Sequence, residues 1–135
     1  MRIMFVCHGN ICRSPMAEFI LKDMLSARGM TDGFYVASSA TSSEEIYRGV
    51  GNPIYPPARR ELAMHGIFPP DKRAVRLIRD DLDKYDMFIV MDEATSALDN
   101  ETQEKIQTEP GFWAGWYFLF HNWWDCYHKD CVFRS

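Results

Sequence analysis

The chain has 135 residues, enough for one domain built on one core. Its composition is 47% hydrophobic and its net charge is −4, which fits a globular protein and gives no basic footprint for nucleic acid. No apolar run approaches the ~18 residues of a membrane span, and Met1 runs directly into the first expected strand with no room for a secretory leader.

Arg2-Ile3-Met4-Phe5-Val6 reads as a short buried strand. Cys7-His8-Gly9-Asn10-Ile11-Cys12-Arg13-Ser14-Pro15 follows, and then a helix from about Ser14 to Arg28, with Ser14 as N-cap, Pro15 at the first helical position and Gly29 as C-cap. Met16, Phe19, Ile20, Met24 and Leu25 mostly fall at helical spacing and are expected to face a sheet. A loop between a strand end and a helix N-terminus gathers backbone N–H groups into a concave anion site, to which the helix dipole adds positive charge. Gly9, Asn10 and Ser14 are residue types that a tight cradle needs. Arg13 adds a planar fork of donors matched to phosphate oxygens. The same donors favour the thiolate of Cys7 at the strand end. Phosphate held above a thiolate points to phosphoryl transfer through a cysteinyl-phosphate. The binding groups are then His8, Gly9, Asn10, Ile11, Cys12 and Ser14, with Cys7 and Arg13 catalytic. Cys7 and Cys12, five apart around one tight loop, are also expected to form a reversible disulfide under peroxide.

Farther along, Asp32-Gly33 marks a turn and Phe34 to Ser38 a second strand. The order of elements implies parallel strands with right-handed crossovers, an α/β domain. Ser38 to Pro57 reads as loop, in which Tyr47 is either an aromatic that stacks on a ligand ring or an ordinary exposed loop residue. Ala58 to His65 reads as a helix ending at Gly66. Asp71 is expected to cap a further helix, Lys72 to about Arg79, with Lys72, Arg73, Arg76 and Arg79 as a basic stripe. Such a stripe is either a solvated face or a place to recruit an acidic phosphoprotein. Met87 to Met91 reads as an interior strand, with Asp92 at the carboxyl edge where open α/β sheets bind ligands.

The string Cys7 to Glu18 closely resembles the amino-terminal signature of the low-molecular-weight protein tyrosine phosphatases. The resemblance continues through Ser38-Ser39-Ala40-Thr41, Gly51-Asn52-Pro53, His65-Gly66-Ile67 and Tyr85 to Glu93, and so covers about residues 1–93. It implies a three-layer α/β domain over residues 1–135, with a central parallel four-stranded sheet flanked by helices. It implies a phosphotyrosine-containing protein or small aryl phosphate as substrate, with Ile11 lining an apolar wall suited to a phenyl ring. It also implies that the 38–57 loop walls the site, that Ser38 hydrogen-bonds Asn10, and that Asp92 supports the site. No metal or cofactor is expected, because Arg13 and the backbone supply the positive field. Reactive thiols at Cys7 and Cys12 point to a reducing cytoplasm. Nothing here fixes an oligomeric state.

Beyond Glu93 the resemblance fades. Met87 to Asp99 is also similar to the Walker B strand and following loop of ABC transporter ATPases, but the chain has no Gly-x4-Gly-Lys-Ser/Thr loop. A mosaic chain accounts for that string better than ATP hydrolysis. Ala94 to about Gln107 is expected to be helical, and Trp116 to Phe120 a fourth strand. The family's general acid lies in an Asp-Pro-aromatic motif, and this chain has no Asp-Pro. Asp125-Cys126-Tyr127 stands at roughly the family's distance from the nucleophile, and the neighbouring Trp124 and Tyr127 favour a protonated acid. Ten residues after Asp125 leave no room for the family's closing helix. Cys126 and Cys131, with His121 and His128, lack zinc-site spacing. Two alternatives remain open: a catalytically weak phosphate-binding domain of a truncated or mosaic chain, and an arsenate reductase that recruits further cysteines.

Overall fold

The first strand, β1 (Arg2–Cys7), is the axis of the domain, because a run of apolar residues with no polar alternation can be satisfied only between two layers. In the computed structural model, which describes residues 1–91, β1 pairs in parallel with β2 (Tyr35–Ala40) on one side and β5 (Met87–Val90) on the other. The described sheet thus has three strands in the order β2-β1-β5. The fourth strand expected over Trp116 to Phe120, the helix over Ala94 to Gln107, and Asp92 lie outside the described residues.

Two apolar clusters cover the two faces. Ile3, Phe5 and Val36 pack with Ala17 and Leu25 of α1 (Arg13–Ala27). On the other face Met4 and Val6 meet Leu77, with Leu82, Tyr85 and Phe88 packed around them. The result is helix, sheet and covering segment, the expected α/β layering with a parallel sheet. A third cluster corrects the expected helix face. Met16, Phe19 and Ile20 pack on Ile54, Ala58 and Leu62 rather than on the sheet, and Met24 is exposed. The competing surface is α2 (Pro56–Met64), which lies against α1.

Both long helices stop the same way. Gly29 and Gly66 take left-handed backbone angles, φ 64° and 75°. Met30 N–H then donates to Leu25 C=O and Ile67 N–H to Leu62 C=O, at 2.9 Å each, which closes a Schellman motif at each end.

The loop expected between Ser38 and Pro57 is more ordered than its composition suggests. β2 runs on to Ala40 because β1 runs on to Cys7 beside it. Two short strands, β3 (Ile46–Tyr47) and β4 (Val50–Gly51), then form a hairpin. Its turn residues Arg48 and Gly49 both have positive φ, 50° and 78°, the signature of a type I′ turn.

The helix expected over Lys72 to Arg79 does not form. That stretch is extended, and a single turn, α3 (Asp81–Lys84), follows it. Its backbone groups have better partners elsewhere. Ala74 N–H donates to Asn52 C=O at 2.9 Å, Leu77 N–H to Ala40 C=O at 2.8 Å, and Val75 C=O accepts from Ala40 N–H at 2.7 Å. These bonds tie the segment to the last residue of β2 and to Asn52.

Gly51 is the tightest point of this docking. A β-carbon there would fall 1.9 Å from the Ala74 carbonyl oxygen, which is backbone and cannot rotate away. Gly51→Ala should therefore lower stability by about 1–3 kcal/mol or more in urea unfolding, the usual range for overpacking. An unchanged midpoint would mean that the 72–78 segment is not seated as described.

Candidate active site

Cys7 ends the central strand, 2% exposed, and its sulfur faces the loop that turns into α1. Two donors approach it. The Ser14 hydroxyl lies 3.0 Å from Sγ, and Asn10 N–H points at Sγ from 3.3 Å. These are contacts that suit an anionic sulfur.

Ser14 was expected to cap the helix. Instead α1 begins at Arg13, with Cys12 in the cap position and no side-chain cap bond, and Pro15 is the third helical residue. The hydroxyl is taken from the cap role by Cys7 Sγ and by Asn10, both of which are buried beside it.

Asn10 sets the shape of the loop. Its φ is 57°, a left-handed angle that asparagine tolerates better than most residues. Its side chain is 1% exposed and fully engaged. Nδ2 donates to Ser14 Oγ at 2.8 Å and to Ser38 Oγ at 2.9 Å, while Oδ1 accepts from Val75 N–H at 3.1 Å. The Asn10–Ser38 contact is thus present in the geometry that the resemblance implied.

Behind Ser38 lies a residue that the sequence reading missed. Glu18 is 4% exposed, and its Oε2 accepts from the Ser38 hydroxyl at 2.6 Å. Lys22 Nζ sits 2.6 Å from Oε1, and Lys72 Nζ 3.7 Å from Oε2. Lys72 also donates to the Ser38 carbonyl at 3.0 Å. Burial lowers the Lys72 pKa, Glu18 pulls it back up, and nearby Lys22 adds to the lowering. One signal for Glu18 was legible: it is the lone charge within the run Pro15 to Leu21, four residues before Lys22.

The chain of contacts has a fixed direction. An ionised carboxylate only accepts, so Ser38 must donate to Glu18 and accept from Asn10. Ser14 likewise accepts from Asn10, which leaves its own proton for Cys7 Sγ or for the Ser39 carbonyl at 3.4 Å.

The remaining residues form the rim. His8 is half-exposed with Nε2 3.0 Å from Glu44 Oε2. A β-carbon on Gly9 would lie 3.0 Å from Glu45 Cγ, so the loop and rim are in close contact there. Ile11 C=O accepts from Tyr55 N–H at 2.8 Å, which ties the loop to the start of α2. Cys12 is half-buried against the α1–α2 cluster, and Arg13 is the first residue of α1. Tyr47 stands on the hairpin, 70% exposed, with the Arg48 guanidinium 5.1 Å from its ring centroid. Asp125 lies outside the described residues, as do Cys126, Cys131, His121 and His128. Among the described residues no group of three potential ligands is placed to hold a metal ion.

Cys7 thus stands at the carboxyl end of a parallel strand, before a loop that opens into a helix whose first residue is Arg13. The chain matches the family model described as low molecular weight phosphotyrosine protein phosphatase over residues 2–109, and it belongs to that family. The match runs on past Glu93, where the resemblance read from the sequence fades.

The Pongo abelii protein of the same name is 35% identical over 108 residues, which is 78% of this chain and 64% of that protein. A Bacillus subtilis relative named low molecular weight protein-tyrosine-phosphatase YfkJ is 36% identical over 90 residues, covering 67% of this chain and 55% of its own. The chain therefore spans well under the full length of such relatives. Among solved structures, the low molecular weight protein tyrosine phosphatase SP-PTP from Streptococcus pyogenes superposes with a TM-score of 0.68 at 28% identity, over 97% of this chain and 88% of that one.

Glu18→Gln should cost about 3–5 kcal/mol in urea unfolding, because it leaves buried Lys72 without its counter-charge. Lys22→Met removes a half-exposed partner and should cost no more than about 1 kcal/mol. Equal losses for the two variants would show that burial of Glu18 does not matter.

Proposed function

We propose that the chain is a phosphotyrosine protein phosphatase working through a cysteinyl-phosphate. The observation that carries this reading is the buried Cys7 sulfur at the strand end, approached by Ser14 Oγ and Asn10 N–H beneath the turn into α1. Membership in the family supports it.

In this mechanism the Cys7 thiolate attacks phosphorus in line with the leaving oxygen. The S–P bond forms as the P–O bond to the phenol breaks. Arg13 and the loop N–H groups from Gly9 to Ser14 hold the equatorial oxygens and stabilise their transition-state charge. Water then attacks the thiophosphate, releasing inorganic phosphate and restoring Cys7. The leaving phenolate needs a proton, and Asp125 is the proposed donor. Ile11 supplies an apolar wall for the phenyl ring, Tyr47 an outer stacking surface, and Ser38 and Asp92 the supporting hydrogen bonds. The substrate is a phosphotyrosine-containing protein or a small aryl phosphate. The two thiols of the loop suit a reducing cytoplasm.

A second reading is favoured by the sequence itself. The chain lacks Asp-Pro. Binding phosphate needs only the loop, whereas rate needs the acid. A phosphate-binding domain with weak turnover follows if Asp125 does not serve.

Turnover of p-nitrophenyl phosphate tests the nucleophile. Cys7→Ser should abolish it, and Arg13→Lys should depress it strongly because a point charge cannot replace a planar fork. A rate independent of Cys7 would remove the enzyme reading. Leaving groups test the acid. Asp125→Asn should slow phenyl phosphate by roughly 10²–10⁴-fold and activated esters much less. Unchanged phenyl phosphate turnover would exclude Asp125 as the acid and leave the weak-turnover reading.

A further inference from the structure

Beside the outer edge of β2, between α1 and the residues 72–81, runs a groove of about 560 Å³. That volume falls within the range of small-molecule sites. Its lining mixes apolar side chains, among them Leu25, Phe34 and Ile78, with the cations Lys22, Lys72 and Arg76.

The charges do not cancel. Two carboxylates, Glu18 and Asp81, also line the groove. Glu18 is already engaged by Lys22 and Lys72, and Asp81 Oδ2 accepts from Ile78 N–H at 3.0 Å. Arg76 is exposed and has no side-chain partner among the described residues. Lys72 is largely buried, and the cost of that burial lowers its pKa. A bound anion would offset the same cost. The strand edge itself is closed to an added peptide strand, since Val36 is 5% and Ser38 1% exposed. The occupant is therefore a small molecule.

We propose that this groove is a second binding site, for a small organic anion whose head meets Lys72 and Arg76 and whose apolar body lies against Leu25, Phe34 and Ile78. It is separate from the phosphate loop, yet linked to it. Lys72 holds both Glu18 and the Ser38 carbonyl, and Ser38 Oγ holds Asn10. An anion that draws Lys72 away loosens that support and is felt at Asn10. The basic residues at 72 and 76 then form neither a solvated helix face nor a phosphoprotein dock, but part of the lining of a ligand site.

The test is a titration of ¹⁵N-labelled full-length chain with phenylbutyrate, in the presence of excess inorganic phosphate to occupy the loop. Saturable shifts should appear in the amides of Val36, Ala37 and Ile78, and the Asn10 side-chain amide should move along the same isotherm. Phenylbutyramide, the neutral counterpart, should shift nothing. Arg76→Glu should weaken phenylbutyrate at least tenfold while the rest of the spectrum stays in place, and Ile78→Asp should do the same from the apolar lining. Shifts confined to residues 8–14, equal binding of the amide, or an unaffected Arg76→Glu would overturn the site. An unmoved Asn10 side chain would overturn the link. None of these readouts depends on whether the chain turns over phosphate esters, so this proposal and the phosphatase reading fail separately.

Discussion

The side chain of Asn10 holds the loop together. A left-handed residue costs of order 1–3 kcal/mol and persists only where its surroundings fix it. Here three hydrogen bonds do so, to Ser14, Ser38 and Val75, which come from the helix, the neighbouring strand and the covering segment. Each of those elements is therefore tied to the loop at one point. Take Asn10 away and the amide aimed at Cys7 Sγ loses its direction, while two buried hydroxyls lose a donor. The loop is best understood as the meeting point of three elements rather than as a flexible connection between two.

What keeps those elements in register is the central strand. Cys7 stands beside Ala40 in the ladder, and the chain beyond each strand continues the pairing, with Thr41 N–H on Cys7 C=O and Ser42 N–H on His8 C=O. The sulfur is thus fixed by the best-buried strand of the domain, whereas the groups that would meet a substrate lie on the rim. Glu18 extends this order inward. Its charge sets which way Ser38, and through it the Asn10 amide, must point. A buried carboxylate between two lysines is costly to assemble, and its role is orientation more than net stability.

The sequence was most legible where chemistry is local. Strand, loop and helix around Cys7 are contiguous, so apolar run, glycine, asparagine and arginine sufficed to place them. The parallel α/β layering followed from element order. Two misreadings and one omission share one cause. Basic residues at helical spacing suggested a helix over 72–79, but carbonyls of Asn52 and Ala40 and the side chain of Asn10 claimed its backbone donors from far along the chain. Ser14 fits every local rule for an N-cap, yet a sulfur brought near by the strand took its hydroxyl. Glu18 looks like a surface helix residue until β2 places Ser38 against it. The Arg48-Gly49 turn differs, since a glycine between alternating apolar residues is a readable hairpin signal.

The account rests on phosphorus becoming bonded to Cys7 sulfur. Acid quenching during turnover of p-nitrophenyl phosphate, followed by peptide mass spectrometry, observes that bond directly. The account predicts a phosphoryl group on the peptide containing Cys7, absent when Arg13 is replaced by Ala. Continued product release with Cys7 never phosphorylated, or with phosphate trapped on another side chain, would contradict it.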